Sequence, residues 1–439
     1  MLTERLSNPA VGTVKAAGSV PDRSSDSPYD RAVDEFPKII SVDDHVVEPP
    51  GVWQDRLPRK HLETGPRVVR APVGELTYRG GKLAVTVGEP GTGPDVDWWF
   101  YEELRRPLMR LDAAVGFDRD DVDLRAVTYD QMRPGAHSVA PRLEDMDTNW
   151  LEASLCFPTF PRFCGQTFTE AKDRELGLLC VRAYNVWMVE EWCAPSQGRL
   201  IPLIIIPLWD AQLAAAEVRR NAARGVRAVC FSEIPPYLGL PSIHDPDGYW
   251  DPFLAACAET GTVINMHIGS SSKMPSTSAD APPAVSSTLT FSHACYSLVD
   301  WLMSGVFTRH PGLQVAYSEG QIGWIPYILE RADVVWEENR GWGGVADKVL
   351  EPPSQLFGKH VYGCFFSDAH GLRNLDDIGV DRVTYESDYP HSDSTWPNTR
   401  AIAEEQMKAL DRGVVEKIVR GNAIRMLSLD VDGRHTRTS

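Results

Sequence analysis

No run of eighteen or more apolar residues occurs in this 439-residue chain, so no membrane-spanning helix is expected. Positive charge is scarce as well. Lys and Arg number 44 against 61 Asp and Glu, and the net charge of −17 weighs against nucleic acid or an anionic membrane as partner. A local group of Arg and Lys can still oppose that sign, so an anionic small molecule is not excluded. Paired cysteines are missing: eight stand singly at 156, 164, 180, 193, 230, 257, 295 and 364, with no Cys-x-x-Cys. Most lie in apolar stretches such as Leu155-Cys156-Phe157, which implies buried reduced thiols rather than disulfides. The N-terminus lacks a hydrophobic signal region, and residues 1–35 read as a partly ordered tail rich in Ser, Pro, Asp and Arg. A cytoplasmic protein is the expectation.

What is present is alternation. Eight short apolar runs stand at 38–43, 152–157, 200–206, 226–231, 262–267, 313–318, 361–367 and 382–387. Several, such as Leu200 to Ile206, are almost wholly apolar and β-branched, the pattern of strands covered on both faces in a parallel sheet. Between them, 171–192, 210–224, 249–260, 292–307, 321–339 and 399–410 carry helical spacing. Gly225 and Gly261 stop two of these helices just before a strand. The fold class expected is α/β, a (β/α)₈ TIM barrel over residues 36–430 with a C-terminal tail at 431–439. An open doubly wound sheet is the rival, but no glycine-rich loop follows the first strand. Residues 50–150 do not fit the repeat and predict a long insertion after strand 1. Its cluster Trp98-Trp99-Phe100-Tyr101 either packs the insertion on the barrel or forms a lid over an apolar substrate.

Five of the apolar runs end in metal-binding side chains: Asp43-Asp44-His45, His267, Glu319, Asp368-Ala369-His370 and Asp388-Tyr389-Pro390-His391. Asp43 and His45, two apart on a strand, project to one side while Asp44 faces the other. Taken singly, each has a plainer reading. His267 can be a hydrogen-bonded core histidine, Asp388 to Asp393 a capped turn, Glu48 a loop exit, and Glu386 a structural strand residue. His293, at the start of a helix, can be a ligand, a second-layer donor or a cap.

Asp43-x-His45, Met266-His267-Ile268-Gly269 and Ser387-Asp388-Tyr389-Pro390-His391 resemble the metal motifs of the amidohydrolase-2 branch of the amidohydrolase superfamily. Arg142-Leu143-Glu144-Asp145-Met146-Asp147 and His310-Pro311-Gly312-Leu313 agree with it. The resemblance covers roughly residues 36–425 and implies metal held at the C-terminal strand ends by Asp43, His45, His267 and Asp388. Strand 6 departs from it, with Ser318-Glu319-Gly320 where the family usually presents His. That carboxylate-rich set is similar to the TIM-barrel nonheme diiron monooxygenases, a group that includes a diterpenoid hydroxylase of platensimycin and platencin biosynthesis. The resemblance implies two iron ions, O₂ and an electron donor. It also implies hydroxylation of an unactivated carbon in a bulky, CoA-linked diterpenoid-type acyl substrate of secondary metabolism. Asp388 and Glu319 are then the catalytic carboxylates, and His293, His370 and His391 compete for the remaining metal positions. The alternative is a mononuclear Zn- or Mn-dependent hydrolase or nonoxidative decarboxylase. Barrels of this family often pair, so a homodimer is also implied.

Overall fold

The computed structural model describes residues 35–431. The chain divides after Phe36, and the fold described here is that of the unit beginning at Pro37. Apart from Glu35 and Val431, the tails expected at 1–35 and 431–439 lie outside the described residues.

Eight parallel strands form the barrel wall. They are β1 (Ile39–Val46), β2 (Leu151–Pro158), β3 (Leu200–Ile201 and Leu203–Ile204, broken at Pro202), β4 (Ala228–Cys230), β5 (Val263–His267), β6 (Val315–Ser318), β7 (Val361–Phe365) and β8 (Val383–Tyr385). Each pairs in parallel with the next, for example Ile39 with Leu151, Ser154 with Leu200, Val229 with Ile264 and Phe365 with Tyr385. Proline has no N–H to give a ladder, which is why β3 is interrupted at Pro202. The last neighbours are joined just beyond β8: Asp388 N–H donates to the Asp43 carbonyl at 2.9 Å, and His45 N–H to the Tyr389 carbonyl at 2.6 Å. All eight strands stand where the apolar runs place them. Every residue of β1, β5, β7 and β8 is buried, as helices on the outside and side chains on the inside require.

The helices follow the strands in turn: Arg174–Trp187, Ala211–Ala222, Asp251–Thr260, Phe291–Met303, Ile325–Glu338, Ala369–Arg373 and Thr399–Met407. Asp173 and Asp210 cap two of them by accepting backbone N–H groups of the first turn. Gly261 ends a third in the left-handed conformation, φ 64°, that a side chain would oppose. Among the described residues no helix is long and apolar enough to cross a membrane. All eight cysteines are free and seven are buried.

The insertion is an antiparallel sheet of five strands, in spatial order 82–87, 67–79, 95–101, 104–109 and 126–127. Gly80 and Gly81 turn its first hairpin with φ of 56° and 78°, the two positive values a tight type I′ turn needs. The aromatic cluster is packing. Trp98, Trp99 and Tyr101 are buried, with Trp99 stacked 4.7 Å from Phe160 and edge-on 5.1 Å from Trp53. Those partners lie beyond β1 and β2, so these rings anchor the insertion to the barrel instead of reaching a substrate.

Candidate metal centre

The ends of β1, β5 and β6 and the segment after β8 converge on one point. His45 Nε2 lies 3.5 Å from Asp43 Oδ1, 3.3 Å from Asp388 Oδ1 and 3.2 Å from His267 Nε2. His267 Nε2 is also 3.4 Å from Asp43 Oδ2 and 3.1 Å from Glu319 Oε2. Donor atoms sharing one ion at ~2.1 Å stand roughly 3.0–3.4 Å apart, so these are the edges of a coordination polyhedron. Both carboxylate oxygens of Asp43 and of Asp388 are buried with no hydrogen-bond partner. Burial comes first in raising the pKa of each, followed by mutual repulsion with Glu386 and Glu319. Burial likewise holds His45 well below the usual imidazole range, with His391 and His267 adding to it. Buried carboxyl oxygens left without hydrogen bonds beside imidazole nitrogens are a donor set that fits a divalent cation.

Local structure explains each position. The ladder pairs His267 with Ser318, which puts Glu319 directly beside the imidazole. Glu319 and Asp388 both have left-handed backbones, φ 59° and 52°. For residues other than glycine this costs about 1–3 kcal/mol and concentrates at functional sites. Glu386 supports the first, its Oε2 accepting the Glu319 N–H at 3.1 Å. His267 is oriented by its Nδ1, 2.6 Å from the Ile268 carbonyl, leaving Nε2 to point inward. The Phe163 ring stacks on the imidazole at 4.0 Å.

Asp44 does face away, and it ties the barrel together. It accepts from Ser41 Oγ at 3.0 Å, Ser387 Oγ at 2.6 Å, the Tyr389 N–H at 3.0 Å and Ser154 Oγ. Arg142 adds a second tie, donating to the carbonyls of Gly135 and His45. Glu48 accepts the N–H groups of Thr159 and Phe160 at 3.0 and 2.8 Å, and burial raises its pKa to about 7.

His391 joins the cluster, its ring stacked 3.5 Å from His45 and its Nδ1 3.2 Å from Asp388 Oδ1. His293 and His370 do not. The helix beginning at Phe291 carries His293 toward the exit of β4, where its Nδ1 is 3.7 Å from Glu233 Oε1. His370 sits exposed in the short helix Ala369–Arg373, with its Nδ1 3.5 Å from Arg373. Asp368, on the same run, is consumed in capping that helix and in accepting the N–H groups of Ile322 and Gly323. Sequence reasoning left Glu386 as a strand residue and passed over Phe163. No local pattern marks Glu386, which lies just beyond β8; its pKa is raised to about 8, first by burial.

A chamber of about 220 Å³ opens over the cluster, lined by His267, Glu319, Asp388, His391, Asp393 and Phe163 among others. It shares Leu111, Asp112, Phe163 and Met274 with an outer chamber of about 550 Å³ under the insertion sheet.

Residues 120–429 match the model of the family described as amidohydrolase. The chain belongs to that family. No curated protein gives a significant match. Among solved structures, an amidohydrolase from Mycobacterium avium subsp. paratuberculosis K-10 superposes with a TM-score of 0.64 at 20% identity, covering 89% of this chain and 98% of that one. The manganese-bound 5-carboxyvanillate decarboxylase of Novosphingobium aromaticivorans gives 0.59 at 14% identity, covering 89% and 97%. The 2,6-dihydroxybenzoate decarboxylase of Rhizobium gives 0.54 at 16%, covering 88% and 98%. At these identities the likeness establishes the barrel fold.

These findings correct the expectation of a diiron monooxygenase acting on a diterpenoid. Family and neighbours are amidohydrolases and decarboxylases, and nothing supports oxidoreductase chemistry or a pair of irons. The misleading feature was Glu319, because a carboxylate in place of imidazole is compatible with several metals and reactions. Geometry adds a reason. The two ligand triads, Asp43-His45-His267 and His45-Asp388-His391, share His45, whose Nε2 is the atom facing Asp43, His267 and Asp388 and has a single lone pair for one ion.

Proposed function

We propose that this member of the amidohydrolase family is a mononuclear metal enzyme that removes CO₂ from an organic acid without oxygen. The observation that carries the reading is His45 Nε2 set among the unpartnered oxygens of Asp43 and Asp388, a donor set for one ion beside a carboxyl group lining the inner chamber. Asp43, His45, His267, Glu319 and Asp388 would hold the ion. A bound divalent metal would supply an electrophilic anchor for an acid's oxygens. The rest falls to the chain.

Asp388 is the proton-bearing group. Its Oδ1 neighbours His45 and His391, while Oδ2 has no partner and is free for the substrate. The bond from the substrate carbon to its carboxylate breaks, CO₂ leaves, and the electron pair left on carbon takes the proton from Asp388 Oδ2. His391 Nδ1, 3.2 Å from the same carboxylate, returns a proton from chamber water. Phe163, stacked on His267, offers a flat apolar wall for a planar acid. Hydrolysis is the second reading: an Asp388–His391 pair can equally take a proton from water attacking an acyl group.

The test is manganese-reconstituted protein, kept anaerobic, with a panel of hydroxybenzoic acids in D₂O. CO₂ release with one deuterium on the product carbon, reduced by about three orders of magnitude in Asp388→Asn, is the expected result. Product formed only with O₂, or acyl cleavage without CO₂, would sink the decarboxylase reading.

A further inference from the structure

The chain carries a net charge of −17, yet the wall of the outer chamber is basic. Together with the adjoining hollow of about 500 Å³, that wall presents Lys82, Arg105, Arg106, Arg162 and Lys273 against only Asp112 and Glu170. Two of the cations are engaged: Arg162 pairs with Glu170, and Arg105 donates to the carbonyls of Glu102 and Leu104 at 2.7 Å. Arg106 is different. It is half-buried on the barrel-facing side of the insertion sheet, opposite Trp99 in the ladder. Asp112 and Glu48 reach it only through space. Lys273 meets the face of Tyr237, 4.0 Å from the ring centroid, and leaves its donors open. A guanidinium drawn partly out of water without a bonded anion is costly unless something supplies the counter-charge.

The roof that creates this chamber is fastened. Gly80 N–H donates to the Ala279 carbonyl at 3.0 Å, Tyr78 Oη to Ser286 Oγ at 2.9 Å, and Gly81 sits where a Cβ would come within 3.0 Å of Met274. Between the basic wall and the metal donors the shared lining is three apolar side chains, Leu111, Phe163 and Met274, and one acid, Asp112. The route therefore runs from an acidic, metal-binding end through an apolar neck to a basic end.

We infer that the substrate is an elongated amphipathic acid. One end reacts at the inner cluster, an apolar body fills the neck, and a second anionic group, carboxylate or phosphate, rests on Arg106 and Lys273. This rests on the metal-centre reading above and adds to it the far end of the substrate. Charge-assisted bonds from Arg106 favour a planar anion, and the apolar neck sets the spacer between the two ends.

Hydroxamates bind metal at one end and so report on both chambers separately. Calorimetric titration of the manganese-loaded protein would compare hexano- and octanohydroxamate with adipic and suberic monohydroxamate, which add a terminal carboxylate. The expected result is about tenfold tighter binding of a carboxylate-ended probe, a gain lost in Arg106→Gln and in Lys273→Gln. Both variants should bind the methyl-ended probes as the parent does, which also shows that they fold. A phosphonate-ended probe that gains more than the carboxylate identifies phosphate as the distal group. Equal affinity of the paired probes, or a gain that survives both substitutions, overturns the inference and leaves the metal centre standing. Failure of every hydroxamate to bind protein with one manganese per chain overturns the metal-centre reading itself.

Discussion

The barrel rim and the insertion sheet face each other across one channel and are built on opposite principles. The rim gathers Asp43, His45, His267, Glu319 and Asp388 from strand ends far apart in the chain, each held by a ladder or a backbone bond. The insertion, continuous in sequence, contributes Arg105, Arg106 and the hairpin at Gly80-Gly81. Position at the rim follows from barrel closure, so each donor has little freedom. Position in the insertion depends on a patch of aromatic packing, with Trp99 against Phe160 and Trp53. Reaction chemistry thus sits on the stiffer part, while of the two groups that would sort substrates Arg106 sits on the added sheet and Lys273 on the loop after β5.

The sharpest way to break this contrast is a pair of substitutions. Asp43→Asn should abolish stoichiometric metal by elemental analysis and cut turnover by about a thousandfold or more, with the fold retained by circular dichroism. Trp99→Ala should do the reverse, costing about 3–5 kcal/mol of stability in denaturant titration while metal content stays at one per chain. If Trp99→Ala empties the metal site, the rim is not independent of the insertion.

A smaller effect tests the seam between them, where Glu48 from the end of β1 accepts two N–H groups after β2. Burial pushes its folded pKa to about 7, above the ordinary glutamate value of 4.5. Between those values the folded state keeps a proton that the unfolded chain releases. Stability contributed by this group is therefore full below pH ~4.5 and falls by roughly 1.4 kcal/mol per unit until pH ~7. Glu48→Gln should flatten that slope in urea titrations across the same window. A slope unchanged by the substitution would show that other carboxylates carry it.

The smallest expected effect is Gly81→Ala. With φ of 78° and Met274 only 3.0 Å from the added Cβ, the cost is about 1 kcal/mol. Faster exchange of the Gly80 amide by hydrogen–deuterium measurement would check it. No loss of protection would mean the hairpin is not fastened through that contact.

Much of the barrel was legible because buried parallel strands must be apolar on both faces, so Leu200–Ile206 and Val263–Met266 announce themselves. The insertion's strands at 67–79 and 82–87 were not, because they are half-exposed and carry no such uniform run. Among site residues, Asp43, His45 and His267 could be read from their place at strand ends. Glu386 could not, since its importance lies in what it touches, the Glu319 N–H and the neighbourhood of Asp43. The reaction was misread because one residue type, glutamate at 319, was asked to specify chemistry that ligand number and sharing decide.

Sequence alone determined the order of strands and helices and the donors presented at their ends, because both follow from local apolar periodicity. Which histidines meet was decided only in three dimensions. His391 enters the cluster while His370, at the end of an equally suggestive run, faces solvent. The physical reason is closure: the bonds from Asp388 to Asp43 and from His45 to Tyr389 draw the last strand's exit against the first, whereas the segment before His370 is tied through Asp368 to the Ile322 and Gly323 N–H groups and His370 is left exposed.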